Sequence, residues 1–265
     1  MRVGIGLPSA VPGVDREGIV EWARRAEAAG FSTLAVLDRI NHSNLEPLIC
    51  LAAAAAVTER IELMTDVLLA PLRSNTALLA KQVSGIDAIA GGGRLTLGVG
   101  VGGREDDYEV SGVDFHTRGR ALNRQLEQLH GAVPILVGGR SDAALRRAVR
   151  FGEGWAAGGG GVEQFVTGLT RLRELWDRDQ PPRTVALTYF ALGLGAGTAL
   201  RDTIGGYYGY TPEYAARMIA TAPTDPGSVM RTVTAYTAAG AGELILFPAS
   251  SDPAQVELLA EAAGL

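Results

Sequence analysis

The chain contains one cysteine (Cys50), one lysine (Lys81) and only three histidines (His42, His116 and His130). A single cysteine excludes an internal disulfide and any cysteine-based metal cluster. Its apolar setting, Leu48-Ile49-Cys50-Leu51-Ala52, reads as a buried structural thiol rather than a nucleophile. The histidine spacing forms no metal triad. No apolar run approaches membrane-spanning length. The start, Met1-Arg2-Val3-Gly4-Ile5, enters a strand pattern without a signal peptide. A cytoplasmic protein without membrane contact is the expectation. A net charge of −5 argues against a nucleic-acid partner. The lone lysine beside abundant arginine and alanine marks GC-rich coding rather than function.

With 47% hydrophobic and 20% charged residues, the 265-residue chain has the composition of a globular protein with a sizeable core, expected as one domain over residues 1–265. Eight short apolar runs fill it: Val3–Leu7, Thr33–Asp38, Ile61–Leu69, Leu95–Val101, Pro134–Gly139, Gly154–Gly158, Thr184–Leu194 and Glu243–Pro248. Each precedes a helix-patterned stretch, which implies parallel pairing and, at eight units, a (β/α)8 TIM barrel. Ile19, Trp22, Ala23 and Ala26 trace one helical face, closed by Gly30. Leu79, Val83, Ile86 and Ala90 repeat the pattern, as do Phe165, Leu169, Leu172 and Trp176. Thr211-Pro212, Asp225-Pro226 and Asp252-Pro253 each place a capping side chain before an N1 proline. The helix Arg118–His130 runs almost directly into the fifth strand, and residues 195–212 form the longest excursion, rich in glycine and tyrosine.

In such a barrel, chemistry sits at the C-terminal strand ends. Leu37-Asp38-Arg39 closes the second strand, where a carboxylate beside a guanidinium can hold a ligand or form a rim ion pair. His42, just beyond, is a candidate general acid or base or a solvated loop residue. Asp66 interrupts the apolar third strand, and a polar residue there needs a partner or a task. Gly98-Val99-Gly100-Val101-Gly102-Gly103 ends the fourth strand, where glycine admits close approach to the backbone, as a flat ring would require. Gly138-Gly139-Arg140-Ser141-Asp142 joins glycine N–H groups, an arginine and a helix start, the makings of a phosphate site. Ala156–Gly161 reads as part of the same pocket or as a mobile loop.

These stretches, with Glu27-Ala28-Ala29-Gly30-Phe31, Pro71-Leu72-Arg73, Gly92-Gly93-Arg94-Leu95, Arg118-Gly119-Arg120, Gly152-Glu153-Gly154-Trp155 and Ala239-Gly240-Ala241-Gly242-Glu243, resemble the luciferase-like flavin and deazaflavin oxidoreductases along nearly the whole chain. The resemblance implies reduced FMN or coenzyme F-420 at the barrel mouth. It implies a non-proline cis peptide at Asp66-Val67, forming a bulge behind the ring. Gly100, Val101 and Gly102 would line the ring edge, and Gly138, Gly139, Arg140 and Ser141 would take the phosphate. Asp38, Arg39 and His42 are the catalytic candidates. Three departures stand out: Arg39 where some relatives place a histidine, Gly103 where deazaflavin sugar-phosphate dehydrogenases have a glutamate, and no long insertion between the fourth helix and fifth strand. Arg201-x-x-Ile204-Gly205-Gly206-Tyr207 with Pro212-x-Tyr214 resembles the deazaflavin branch. The expectation is hydride transfer between F-420 and a small, largely apolar organic substrate. The alternatives are an FMN-dependent monooxygenase or a non-catalytic ligand-binding relative. A homodimer is open, with the apolar second and third helices as its interface.

Overall fold

The computed structural model describes residues 1–129 and 131–265. The first half of the chain runs β1 (Arg2–Gly6), α1 (Arg16–Ala28), β2 (Thr33–Val36), α2 (Pro47–Ala55), β3 (Glu62–Leu69), α3 (Thr76–Ile89), β4 (Leu95–Gly100), α4 (Glu105–Val110) and α5 (Arg118–Leu129). The second half follows as β5 (Ile135–Gly138), α6 (Asp142–Phe151), β6 (Gly154–Ala156), α7 (Val162–Leu175), β7 (Arg183–Phe190), α8 (Ala196–Tyr208), α9 (Pro212–Thr221), α10 (Pro226–Ala238), β8 (Glu243–Pro248) and α11 (Ala254–Ala263). The eight strands pair in parallel in chain order, and β8 closes on β1. This is the (β/α)8 barrel expected from the run count. No helix among the described residues is long and apolar enough to cross a membrane.

Two apolar layers hold the barrel. The outer layer lies between strands and helices, and the periodic faces read from the sequence form it: Ile19, Trp22, Ala23 and Ala26 of α1, Leu79, Val83 and Ile86 of α3, and Phe165, Leu169 and Leu172 of α7 are all buried. Burying Trp22 completely contributes about 2–3 kcal/mol. Trp176 falls just past α7, only partly buried. The inner layer fills the barrel lumen with Met64, Leu136, Val185, Leu187, Ile245 and Phe247. Below it, Glu243 accepts hydrogen bonds from the hydroxyls of Ser32 (2.7 Å) and Thr33 (2.5 Å) and pairs with Arg183 (3.2 Å), which also reaches Glu62 (2.9 Å). This charged plug closes the N-terminal end, so access is from the C-terminal side.

Some local expectations need correction. β2 stops at Val36, so Leu37, Asp38 and Arg39 leave the sheet as rim backbone. β6 stops at Ala156, short of Gly158. Residues 195–212 are mostly helix, α8, because Leu200, Thr203, Ile204 and Tyr207 bury one helical face despite the glycines. Of the three proline-led starts, only Asp225 makes a full capping box; Thr211 makes no side-chain cap, and Asp252 accepts from Ala254 N at 3.0 Å. The fifth helix is described to Leu129, and His130, its expected end, lies outside the described residues. Residues 131–134 lead into β5. Cys50 is buried, which pushes its thiol up to about 12, as fits a structural residue.

Candidate active site

A cavity of about 610 Å³ opens at the C-terminal ends of the strands. Its lining includes Asp38, Arg39, Asp66, Val67, Gly100–Gly102 and Gly138–Ser141, eleven of the twelve residues singled out from the sequence. His42 is the exception. It packs edge-on against the Tyr207 ring, with centroids 5.2 Å apart, and does not line the cavity. Burial, then the charges of Arg39 and Arg104, lower its pKa, so it stays neutral at pH 7.

The floor is built by β3. The Asp66-Val67 peptide is cis, as the resemblance implied, and the β3–β4 register shifts between Thr65 and Leu68. The Val67 side chain sits where neighbouring strands carry no side chain of their own. A Cβ on Gly100 would meet Val67 Cγ2 at 2.6 Å, and one on Gly138 would meet Val67 Cγ1 at 2.9 Å. The strand glycines therefore seat the bulge rather than a ring directly. Gly98 lies deeper still, and its missing Cβ admits the Thr65 carbonyl, which would be 2.0 Å away. The cavity-facing surface here is Val67, framed by glycine backbone.

One end of the cavity suits an anion. Ser141 caps α6, its Oγ accepting from Ala144 N at 3.3 Å. The backbone N–H groups of Gly139, Arg140, Ser141, Asp142 and Ala143 donate to no acceptor among the described residues. Arg140, Arg147 and Arg217 line this end, and none pairs with a carboxylate among the described residues. Arg147 is aimed by Asn123, whose Oδ1 accepts from Nε at 2.6 Å, and by the Gly119 carbonyl at 3.4 Å. Gly119 makes room: a Cβ there would lie 2.7 Å from Arg147 Nη2. The sequence reading missed Arg147 and Arg217. The signal available for Arg147 was an arginine between buried Ala144 and Ala148, one and a half turns into a helix whose side chains lean back toward its N-terminus.

Asp38 and Arg39 do not pair with each other. Asp38 is buried and held by Arg73, with contacts of 2.6 and 3.2 Å, and by Leu69 N at 2.7 Å. Arg39 donates to Asp107 at 2.6 Å and to the Tyr207 carbonyl at 3.1 Å. Asp107 also accepts from the N–H groups of Ile40 (3.1 Å) and Asn41 (2.7 Å). The β2–α2 loop, α4 and α8 are thus tied together through buried charges. Opposite, Tyr207, Tyr208, Tyr210 and Tyr214 form an aromatic wall. Tyr189 donates to the Tyr208 hydroxyl at 3.2 Å, which leaves the Tyr208 proton for the cavity; Tyr214 donates to the Gly159 carbonyl at 3.1 Å.

Asp66 is only 4% exposed, and its Oδ2 has no hydrogen-bond partner. Burial, with a lesser push from Glu243, raises its pKa from 3.8 to about 7. The folded chain thus holds a proton that the unfolded chain gives up. Its stability contribution is complete below pH 3.8 and is lost as pH rises toward 7. That loss is on the order of 4 kcal/mol. Urea unfolding at pH 5 and pH 8 checks this: Asp66→Asn should flatten the alkaline loss, and an unchanged pH slope would show that Asp66 does not carry it.

A second cleft, of about 600 Å³, lies outside the barrel between the β1–α1 loop and Pro253. None of its lining residues carries a buried, unpartnered polar side-chain atom.

Comparison with known proteins agrees with this fold. The family model described as luciferase-like monooxygenase matches residues 1–132. An uncharacterized protein of Mycobacterium tuberculosis (strain ATCC 25618 / H37Rv) is 32% identical over 214 residues, covering 61% of this chain and 73% of that protein. The chain belongs to the luciferase-like monooxygenase family. Its fold is shared by an F-420-dependent secondary alcohol dehydrogenase solved with an F-420–acetone adduct, at a TM-score of 0.78 and 17% identity over 99% of this chain and 98% of the other. It is shared also by the FMN-bound oxygenating constituent of 3,6-diketocamphane monooxygenase from Pseudomonas putida, at a TM-score of 0.71 and 16% identity over 98% and 96%.

Proposed function

We propose that this protein is an oxidoreductase that uses coenzyme F-420 to transfer hydride to or from a small, largely apolar organic molecule. The observation that carries the reading is one cavity of about 610 Å³ with two matched ends: an apolar floor at Val67, and an anion end with free N–H groups and three arginines that have no acid partner among the described residues. The residues present fit a phosphorylated ring. Val67, seated on Gly100 and Gly138 and flanked by Val101 and Gly102, would support it, while Ser141, the residue 139–143 amides, Arg140 and Arg147 would hold its phosphate. A deazaflavin held there would supply or accept the hydride.

The protein's own share is placement and proton handling. The tyrosine wall and Leu187 present an apolar face to the substrate. Of the groups lining the cavity, Tyr208 is the best placed to donate a proton, since its hydroxyl already accepts from Tyr189. Asp38 and Arg39 hold the rim in shape through Arg73 and Asp107, and His42 backs Tyr207. The neighbour bound to FMN sustains the monooxygenase alternative. Stopped-flow oxidation of each reduced cofactor separates them. F-420 chemistry predicts turnover with a carbonyl or unsaturated substrate under anaerobic conditions. Oxygen-dependent turnover with reduced FMN alone would reverse the assignment, and tight binding without turnover would mark a ligand-binding relative.

A further inference from the structure

We propose that Asp66 acts as a neutral carboxylic acid, donating a hydrogen bond from the cavity floor to an uncharged carbonyl or imine acceptor on the ring system above Val67, so that cofactor affinity depends on pH. The inference rests on the ring-binding reading of the cavity. It starts from the bulge, which places the consecutive residues Asp66 and Val67 both in the cavity lining, although strand alternation would put one of them on the helix side. A carboxyl group with neither oxygen hydrogen-bonded among the described residues, Oδ2 shut off from solvent and almost no exposure overall has either a task or a penalty.

Its surroundings favour the protonated form. From β8, Glu243 contributes a like charge. From α8 and α9, Tyr208 and Tyr214 face it. Beyond the β2 end, the charge of Asp38 is taken by Arg73. β4 and β5 carry no ionisable side chain, and none of the cavity arginines offsets the burial of Asp66. A neutral Asp66 thus completes a donor set: the Tyr208 hydroxyl, the Asp66 hydroxyl and, at the anion end, free amides. Such a set is complementary to a heteroaromatic ring bearing carbonyl and imine acceptors. Ionised, Asp66 presents a charge and only acceptors to those same atoms.

The test is a fluorescence titration of F-420 and of FMN at pH 6 and pH 8.5 into the parent chain, Asp66→Asn and Asp66→Leu. The parent should bind about tenfold more weakly at pH 8.5 than at pH 6 beyond any change seen in Asp66→Asn, whose amide keeps a donor at both pH values. Asp66→Leu should be about tenfold weaker than the parent at pH 6 and should lack the extra pH dependence. Ionisation of the ligand phosphate is common to all three proteins, so the difference between curves reads Asp66 alone. Superimposable pH curves for the parent and Asp66→Asn would overturn the proposal while leaving the cofactor assignment intact. Failure of the parent to bind either ring at both pH values would overturn the cofactor assignment itself, and this proposal with it. If Asp66→Leu does not fold, the comparison of the parent with Asp66→Asn decides the question.

Discussion

Replacing Arg147 with alanine should weaken FMN or F-420 binding about 10- to 100-fold, the range for losing a charge-assisted hydrogen bond to phosphate. Arg147 lines the anion end of the cavity, half buried and without a carboxylate partner, and burial draws its pKa below the usual arginine value while leaving it cationic at any working pH. Two neutral oxygens, on Asn123 and Gly119, aim it without neutralising it. That is the arrangement expected of an arginine whose counter-charge comes from a ligand. Riboflavin, which lacks the phosphate, provides the control. Its affinity should be the same for the parent and Arg147→Ala, because the proposed ring contacts lie on Val67 and not on α6. An equal loss for both ligands would mean that Arg147 acts by holding the cavity's shape.

The second large effect concerns stability. Asp38→Ala should lower unfolding free energy by roughly 3 to 5 kcal/mol, because it leaves the largely buried Arg73 guanidinium with the more exposed Glu46 as its one acid partner among the described residues. The urea midpoint should fall with the slope unchanged. The Leu69 N–H would lose its acceptor in the same step. A stable Asp38→Ala variant that had lost only turnover would restore Asp38 to the reacting centre. Asp38→Asn separates the terms further: an amide oxygen can still accept from Leu69 N but cannot balance Arg73, so most of the loss should persist.

The sequence made the fold legible because eight apolar runs and their following helices each satisfy local rules without help from distant residues. The face of α1, for example, follows from the spacing of Ile19, Trp22, Ala23 and Ala26, whatever it packs against. The candidate site was legible where function is written into backbone. Gly100, Gly138, Gly139 and the Ser141 cap are marked by residue types that few other positions would tolerate or need, whereas the cis Asp66-Val67 bulge followed only from the family resemblance. Partnerships across the rim were not legible. Asp38 finds Arg73 and Arg39 finds Asp107, separated by 35 and 68 positions, and nothing in Leu37-Asp38-Arg39 distinguishes this exchange from a simple neighbouring pair. His42 lies three residues from Arg39, yet the loop places it behind Tyr207. Local composition also misled at residues 195–212, where glycine and tyrosine read as an irregular excursion. The helix forms because one face of it is buried against the lumen cluster, which offsets the poor helix propensity of Gly205 and Gly206.

The proposed arrangement puts a phosphorylated planar ring on Val67 with its phosphate at the start of α6. A crystal structure of the protein grown with F-420 or FMN tests it most directly. The account predicts the ring in contact with the Val67 side chain and the phosphate oxygens within hydrogen-bonding distance of the Ser141 amide and the Arg147 guanidinium. A ring bound elsewhere on the barrel, or a phosphate turned away from residues 139–143 into solvent, would contradict it.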